Sequence, residues 1–138
     1  MTENPYTYAL EFTVRDYEVD LQGIVNNAHY QHYLEHARHQ FLLSMNVDFA
    51  KLHAENNDLI VSRVEIDYKF PLKSNDHFIV KLRVKKESYL RMVFEQAIFR
   101  LPDEKLIARA KVIGVCLHKG KPVKPEEIIE LAALLAAE

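Results

Sequence analysis

The stretch Asp20-Leu21-Gln22-Gly23-Ile24-Val25-Asn26-Asn27-Ala28-His29-Tyr30 holds the residues best suited to chemistry. Asp20 is a carboxylate followed three residues later by one of only 3 glycines, and Asn26 and Asn27 then introduce a helix-like segment. The first N–H groups of a helix lack intrahelical acceptors and carry partial positive charge. They therefore suit an anion or a developing oxyanion. A carboxylate and an oxyanion site in one turn are two parts that an acyl-transfer hydrolase needs. The same residues also fit a purely structural role, in which Asp20 or Asn26 caps the helix.

A rival chemistry lies inside the helix. His32-Tyr33-Leu34-Glu35-His36 has the H-x-x-E-H spacing of an inverted zinc-peptidase motif. Two imidazoles at i and i+4 share a face, with His29 or His39 near enough to be a third ligand. Such peptidases need large surrounding domains, and this chain has 138 residues. The expectation is therefore no metal, with the histidines forming a solvated face or a subunit contact. A serine nucleophile is not signalled, since no G-x-S-x-G occurs. Cys116, the only cysteine, falls near the end of a strand-like run and reads as a small, inert apolar residue.

The elements that must position these residues follow from periodicity. Tyr6, Tyr8, Leu10, Phe12 and Val14 alternate with polar or small residues, which predicts a first strand. From Ala28 to Met45, residues Tyr30, Tyr33, Leu34, Ala37 and Phe41 form one apolar helical stripe. A short helix follows over Val47–Glu55 and is broken at Asn56-Asn57-Asp58. Strands are predicted from Leu59 to Phe70, Phe78 to Lys85, Tyr89 to Leu101 and Leu106 to His118. Lys119-Gly120-Lys121-Pro122 ends the last of them. Pro125 at a first helical position opens a C-terminal helix that uses Ile128, Leu131, Leu134 and Leu135. Four consecutive strands with short links predict an antiparallel meander, and a sheet beside one long helix predicts an α+β layer architecture.

Composition bounds the function. Lys plus Arg is 18 and Asp plus Glu is 20, giving a net charge of −2 and no electrostatic case for nucleic acid. No apolar run approaches the roughly 20 residues of a membrane span, so no membrane partner is expected. The N-terminus has no basic region leading into an apolar run, and one cysteine excludes an intrachain disulfide. The expectation is a soluble, cytoplasmic protein with a single domain over residues 1–138.

The motif residues resemble the 4-hydroxybenzoyl-coenzyme A thioesterase family. Asp20-x-x-Gly23-Ile24-Val25-Asn26-Asn27, then Tyr30-x-x-Tyr33-x-Glu35-x-Ala37-Arg38, match that family's loop-and-helix pattern. Ser62 to Tyr68 and the following Pro71 are similar to its next strand and turn, and Glu18 departs from the shorter acid or small residue common in relatives. The resemblance implies the hotdog fold, here a five-stranded antiparallel sheet wrapped around a long central helix. It implies an acyl-CoA hydrolase needing no cofactor, in which Asp20 is the catalytic carboxylate and the backbone N–H groups of Asn26 and Asn27 stabilise the oxyanion. Gly23, Ile24, Val25 and Tyr30 would line the substrate site, although core packing is also open to Tyr30. The coenzyme A phosphates would meet some of Arg63, Lys85, Lys86, Arg91, Lys119 and Lys121. A homodimer joined at sheet edges, or a homotetramer, is also implied. A dehydratase or a non-catalytic acyl-binding protein on the same fold are the alternatives.

Overall fold

A computed structural model describes residues 5–138. Strand β1 (Tyr8–Thr13) leads through a 3₁₀ turn at Asp16–Glu18 to helix α1 (Asn27–Ser44) and the short helix α2 (Phe49–Ala54). Strands β2 (Asn57–Tyr68), β3 (His77–Lys86), β4 (Arg91–Leu101), β5 (Lys105–His118) and β6 (Lys121–Val123) follow. The described chain closes with a 3₁₀ turn at Pro125–Glu127 and helix α3 (Ile129–Ala136).

The length of α1 is set by its ends. Asn26 caps the start, its side chain accepting the Ala28 N–H at 2.9 Å. At the other end Asn46 takes φ 64°, and the N–H groups of Asn46 and Val47 turn back to the carbonyls of Leu43 and Leu42. That pairing is a Schellman stop with asparagine in the left-handed position usually held by glycine. Between the ends, Tyr30, Tyr33, Leu34, Ala37 and Phe41 are all buried, as the stripe predicts. Each large member contributes on the order of 1.5–3 kcal/mol by leaving water. His32, His36 and His39 lie outside that core and are exposed.

The sheet curls around α1 in the order β1-β3-β4-β5-β2, with β6 paired to β5 and every pairing antiparallel. This is the α+β hotdog arrangement, with two corrections to the expected sheet. It has six strands, because Lys119 (φ 52°) and Gly120 (φ 78°) form a two-residue hairpin that returns the chain as β6. Pro122 is tolerated there because β6 lies at an edge. Of the four strands expected to form a meander, only β3-β4-β5 do so. Strand β2 pairs with β5 and not with β3, because residues 69–76 cross the end of the sheet instead of making a hairpin.

Two hydrogen bonds tie the helix to the middle of the sheet. Gln96 on β4 is buried and donates to the Leu34 carbonyl at 3.1 Å, while its oxygen accepts from the Arg38 guanidinium at 3.0 Å. Burial lowers the affinity of Arg38 for its proton, and Glu35 on the same helix partly offsets that. A buried cation requires such a partner.

Candidate functional site

Asp20 sits on a tight hairpin. Val19 pairs with Val25 across it, the Asp20 N–H donates to the Ile24 carbonyl at 2.8 Å, and the Gly23 N–H donates to the Asp20 carbonyl at 3.0 Å. A three-residue hairpin loop of this kind needs a left-handed residue at its end, and Gly23 supplies it with φ 80°. The Asp20 side chain supports the same turn: Oδ1 accepts the Gln22 N–H at 2.8 Å and, at a longer 3.4 Å, the Ile24 N–H. Oδ2 accepts nothing among the described residues, and Asp20 is exposed. One oxygen is thus held in place and the other is left available for chemistry.

The helix start beside this loop is more selective than the sequence pattern implies. Asn26 satisfies Ala28 with its side chain and His29 with its carbonyl, at 2.9 Å each. The Asn26 N–H itself donates to the Glu18 carbonyl at 3.2 Å. Of the two amides expected to face an oxyanion, only that of Asn27 has no acceptor among the described residues. The Asn26 amide is held by the strand-like pairing that closes the hairpin, a long-range contact that residue types alone do not encode.

The remaining expected site residues separate into exposed and buried groups. Gly23 is exposed and has open space where a side chain would project. Ile24 is half-buried and pairs with Lys73, which brings a lysine beside the loop. Val25 belongs to the core, and its N–H donates to the Leu72 carbonyl at 2.9 Å. Tyr30 is also a core residue, its ring set edge-on to Tyr33 and Tyr68 and its hydroxyl accepting the Leu72 N–H at 2.9 Å. Of the basic residues, Arg63 pairs with Glu65, Lys85 with Glu95 and Lys86 with Glu126. His29 and His32 meet edge to face with ring centres 5.5 Å apart, but among the described residues no three metal-ligating side chains gather.

Three side chains emerge here that the motif did not single out. Leu21, next to Asp20, is a fully exposed apolar residue at the hairpin tip. Glu18 is buried, and its Oε1 accepts the Arg15 N–H at 2.8 Å. Tyr33 is buried with a hydroxyl that has no hydrogen-bond partner among the described residues. The alternation of Asp16, Glu18 and Asp20 is the available signal for a second acid on the same side of the chain as Asp20.

Residues 14–132 match the profile of the thioesterase-like superfamily. The chain is 39% identical over 118 residues to the chloroplastic acyl-acyl carrier protein thioesterase ATL3 of Arabidopsis thaliana, a match covering 85% of this chain and 62% of that protein. It thus spans less than two-thirds of the length of that plant relative. It is 33% identical over 130 residues to the acyl-CoA thioesterase YbgC of Haemophilus influenzae, covering 93% of this chain and 94% of the relative. A solved structure of a 1,4-dihydroxy-2-naphthoyl-CoA thioesterase from Synechocystis superimposes with a TM-score of 0.86, covering 94% and 95% of the two chains. At 19% identity that likeness concerns the fold.

Proposed function

Because this chain belongs to the thioesterase-like superfamily, we propose that it hydrolyses an acyl-CoA thioester to the free acid and coenzyme A, with Asp20 as the catalytic carboxylate. The observation that carries this reading is that Asp20, one oxygen locked by the Gln22 N–H, lies in the hairpin leading into α1, whose first N–H, that of Asn27, has no acceptor among the described residues. The free oxygen either attacks the thioester carbonyl or takes a proton from an attacking water. In both cases the carbonyl oxygen becomes negative, and the Asn27 amide and the helix start stabilise it. Collapse expels the coenzyme A thiolate, which leaves protonated by the solvent or by the acid formed. If Asp20 attacks first, water then cleaves the mixed anhydride and restores the carboxylate.

Gly23 lets the thioester approach the backbone of the hairpin, and Ile24 and Leu21 provide apolar contact for the acyl group. Val25 and Tyr30 are buried, which supports a role in packing beneath the hairpin rather than in direct contact with substrate. The resemblance to the 4-hydroxybenzoyl-CoA thioesterase family belongs to this same reading, as does a cytoplasmic setting suited to one buried thiol.

The protein also works as a homodimer in this reading. Strand β2 ends the sheet with 12 residues and exposes Ile60, Val61, Val64 and Tyr68. An apolar edge of that length needs a partner strand. A second copy would also cover the 390 Å³ groove between α1 and β2, lined by Gln31, Glu35, Val61 and Val64.

The test is hydrolysis of a panel of acyl-CoA esters with detection of the released thiol, on wild type and on Asp20→Asn. The asparagine keeps an oxygen for the Gln22 N–H, so the hairpin persists, but the charge is lost. A fall in kcat of about 10²–10⁴-fold is expected. A folded Asp20→Asn variant that hydrolyses as fast as wild type would overturn the assignment. A wild type inert toward every ester would point to an acyl-binding protein.

A further inference from the structure

Arg38, 8% exposed, is the one buried cation among the described residues. Its Nη1 donates to the Gln96 side-chain oxygen at 3.0 Å, and Gln96 is held in turn by its own donation to the Leu34 carbonyl at 3.1 Å. The guanidinium is therefore fixed in orientation. Its Nε and Nη2 make no hydrogen bond among the described residues, and neither is sealed from solvent. Glu35, three residues earlier, favours the charge from a distance, but no carboxylate among the described residues comes within ion-pair range of Arg38. A desolvated guanidinium whose one partner is a neutral amide is costly to keep, and an anion is what offsets that cost. Nε–H and one Nη2–H point in parallel, the fork that matches both oxygens of a carboxylate.

The fork opens into the 390 Å³ groove between α1 and β2. On the helix side the groove begins at Ala28, next to the Asn27 amide assigned to the oxyanion, and ends at Arg38. Leu34, Val61 and Val64 lie between as apolar walls suited to a methylene chain. Eleven residues of helix separate Asn27 from Arg38, about 16 Å at the helical rise, and the arginine side chain takes up part of that span. An extended acyl chain of about eight to ten carbons bridges the rest. A second copy closing the groove would also strip the remaining water from Arg38, which strengthens its demand for an anion.

We propose that this groove is an acyl-chain site that selects straight-chain acyl groups ending in a carboxylate, gripped at the far end by the Nε and Nη2 hydrogens of Arg38. The substrate class is thus a medium-length ω-carboxyacyl thioester, and Gln96 is the positioning residue that aims the guanidinium. This assignment rests on the thioesterase reading above.

The experiment compares hydrolysis of decanoyl-CoA and of the decanedioyl monothioester by wild type, Arg38→Gln, Arg38→Lys and Glu35→Gln. A titration of each protein with decanedioate and with decanediol, observed by NMR at the Val61 and Val64 methyl groups, accompanies it. Wild type is expected to favour the carboxylated ester by about 10–100-fold in kcat/KM, the worth of charge-assisted hydrogen bonds. Arg38→Gln should bring that ratio to about one, and Arg38→Lys should fall between, since an ammonium keeps the charge and lacks the fork. Glu35 also lines the groove, and its charge opposes an anion there, so Glu35→Gln should raise the ratio. That position is exposed, so this variant reads the same field without disturbing the core should Arg38→Gln fold poorly. A wild-type ratio of one or below overturns the proposal, and so does a preference that survives in folded Arg38→Gln. If no ester is hydrolysed, the thioesterase reading falls and the titration decides. Decanedioate binding about 10-fold tighter than decanediol, with the difference lost in Arg38→Gln, upholds the groove as a carboxylate site, and equal binding of the two ends it.

Discussion

The Tyr30 hydroxyl accepts the Leu72 backbone N–H at 2.9 Å, and the Leu72 carbonyl accepts the Val25 N–H at the same distance. One buried residue in the crossover from β2 to β3 therefore joins the first turn of α1 to the hairpin that carries Asp20. Replacing Tyr30 by Phe leaves the Leu72 N–H buried and unpaired, so a stability loss of about 1–3 kcal/mol is expected in denaturant unfolding. Because the same bond fixes the loop, hydrolysis should fall as well, through kcat more than KM. Unchanged stability in Tyr30→Phe would place the tyrosine at the substrate surface instead.

The edge formed by β2 makes a prediction about assembly. Val64→Glu adds a charge to the exposed apolar strand and should shift sedimentation from dimer to monomer, with a matching loss of hydrolysis if the site needs both copies. Ile129→Glu is the control, since Ile129 is equally apolar and more exposed but lies on α3. Equal effects from the two substitutions would assign the interface elsewhere.

How much of this was legible beforehand depended on the range of the interaction. The α1 stripe and its asparagine cap are local, and the sequence positions of Tyr30, Tyr33, Leu34, Ala37 and Phe41 were enough to predict their burial. Strand pairing is not local. Nothing in Leu59–Phe70 distinguishes a neighbour of β3 from a neighbour of β5, and the crossing of residues 69–76 is what decides it. The local signal for β6 is Lys119-Gly120: a glycine beside a lysine suits a chain stop equally well, and only the two left-handed conformations they adopt make it a hairpin. In the site, the acid, the glycine and the helix start were legible as residue types. The capture of the Asn26 N–H by the Glu18 carbonyl and the burial of the Tyr33 hydroxyl were not, since both depend on packing between segments.

Cys116 should be chemically silent in the folded protein. It is fully buried on β5, with its sulfur 4.0 Å from that of Met92. Burial, with a smaller contribution from Glu126, pushes its thiol up to about 12. Alkylating reagents require thiolate and access, so at about pH 8 labelling should be absent in the native state and complete on unfolding. Fast labelling of the native protein would show that β5 opens locally.

Glu95 provides a test in pH. Burial alone would raise its carboxyl, but the hydrogen bond from Arg83 at 2.6 Å, the Arg83 charge and Lys85 at 3.4 Å outweigh that and hold it below the ordinary carboxylate range. A carboxyl whose affinity for protons is lowered by folding stabilises the folded state above its unfolded pKa, and the contribution is lost as pH falls through the folded value. Glu95→Gln cannot titrate, so the stability gap between wild type and variant should be constant from neutral pH down to about 4.5. It should then shrink steadily in more acid solution. The partial exposure of Arg83 and Lys85 limits the gap to about 1 kcal/mol at moderate salt, and higher salt should narrow it further. Denaturant unfolding of both proteins across that pH range measures it. A gap that grows on acidification would mean that burial prevails and that the Arg83 contact is not formed in solution.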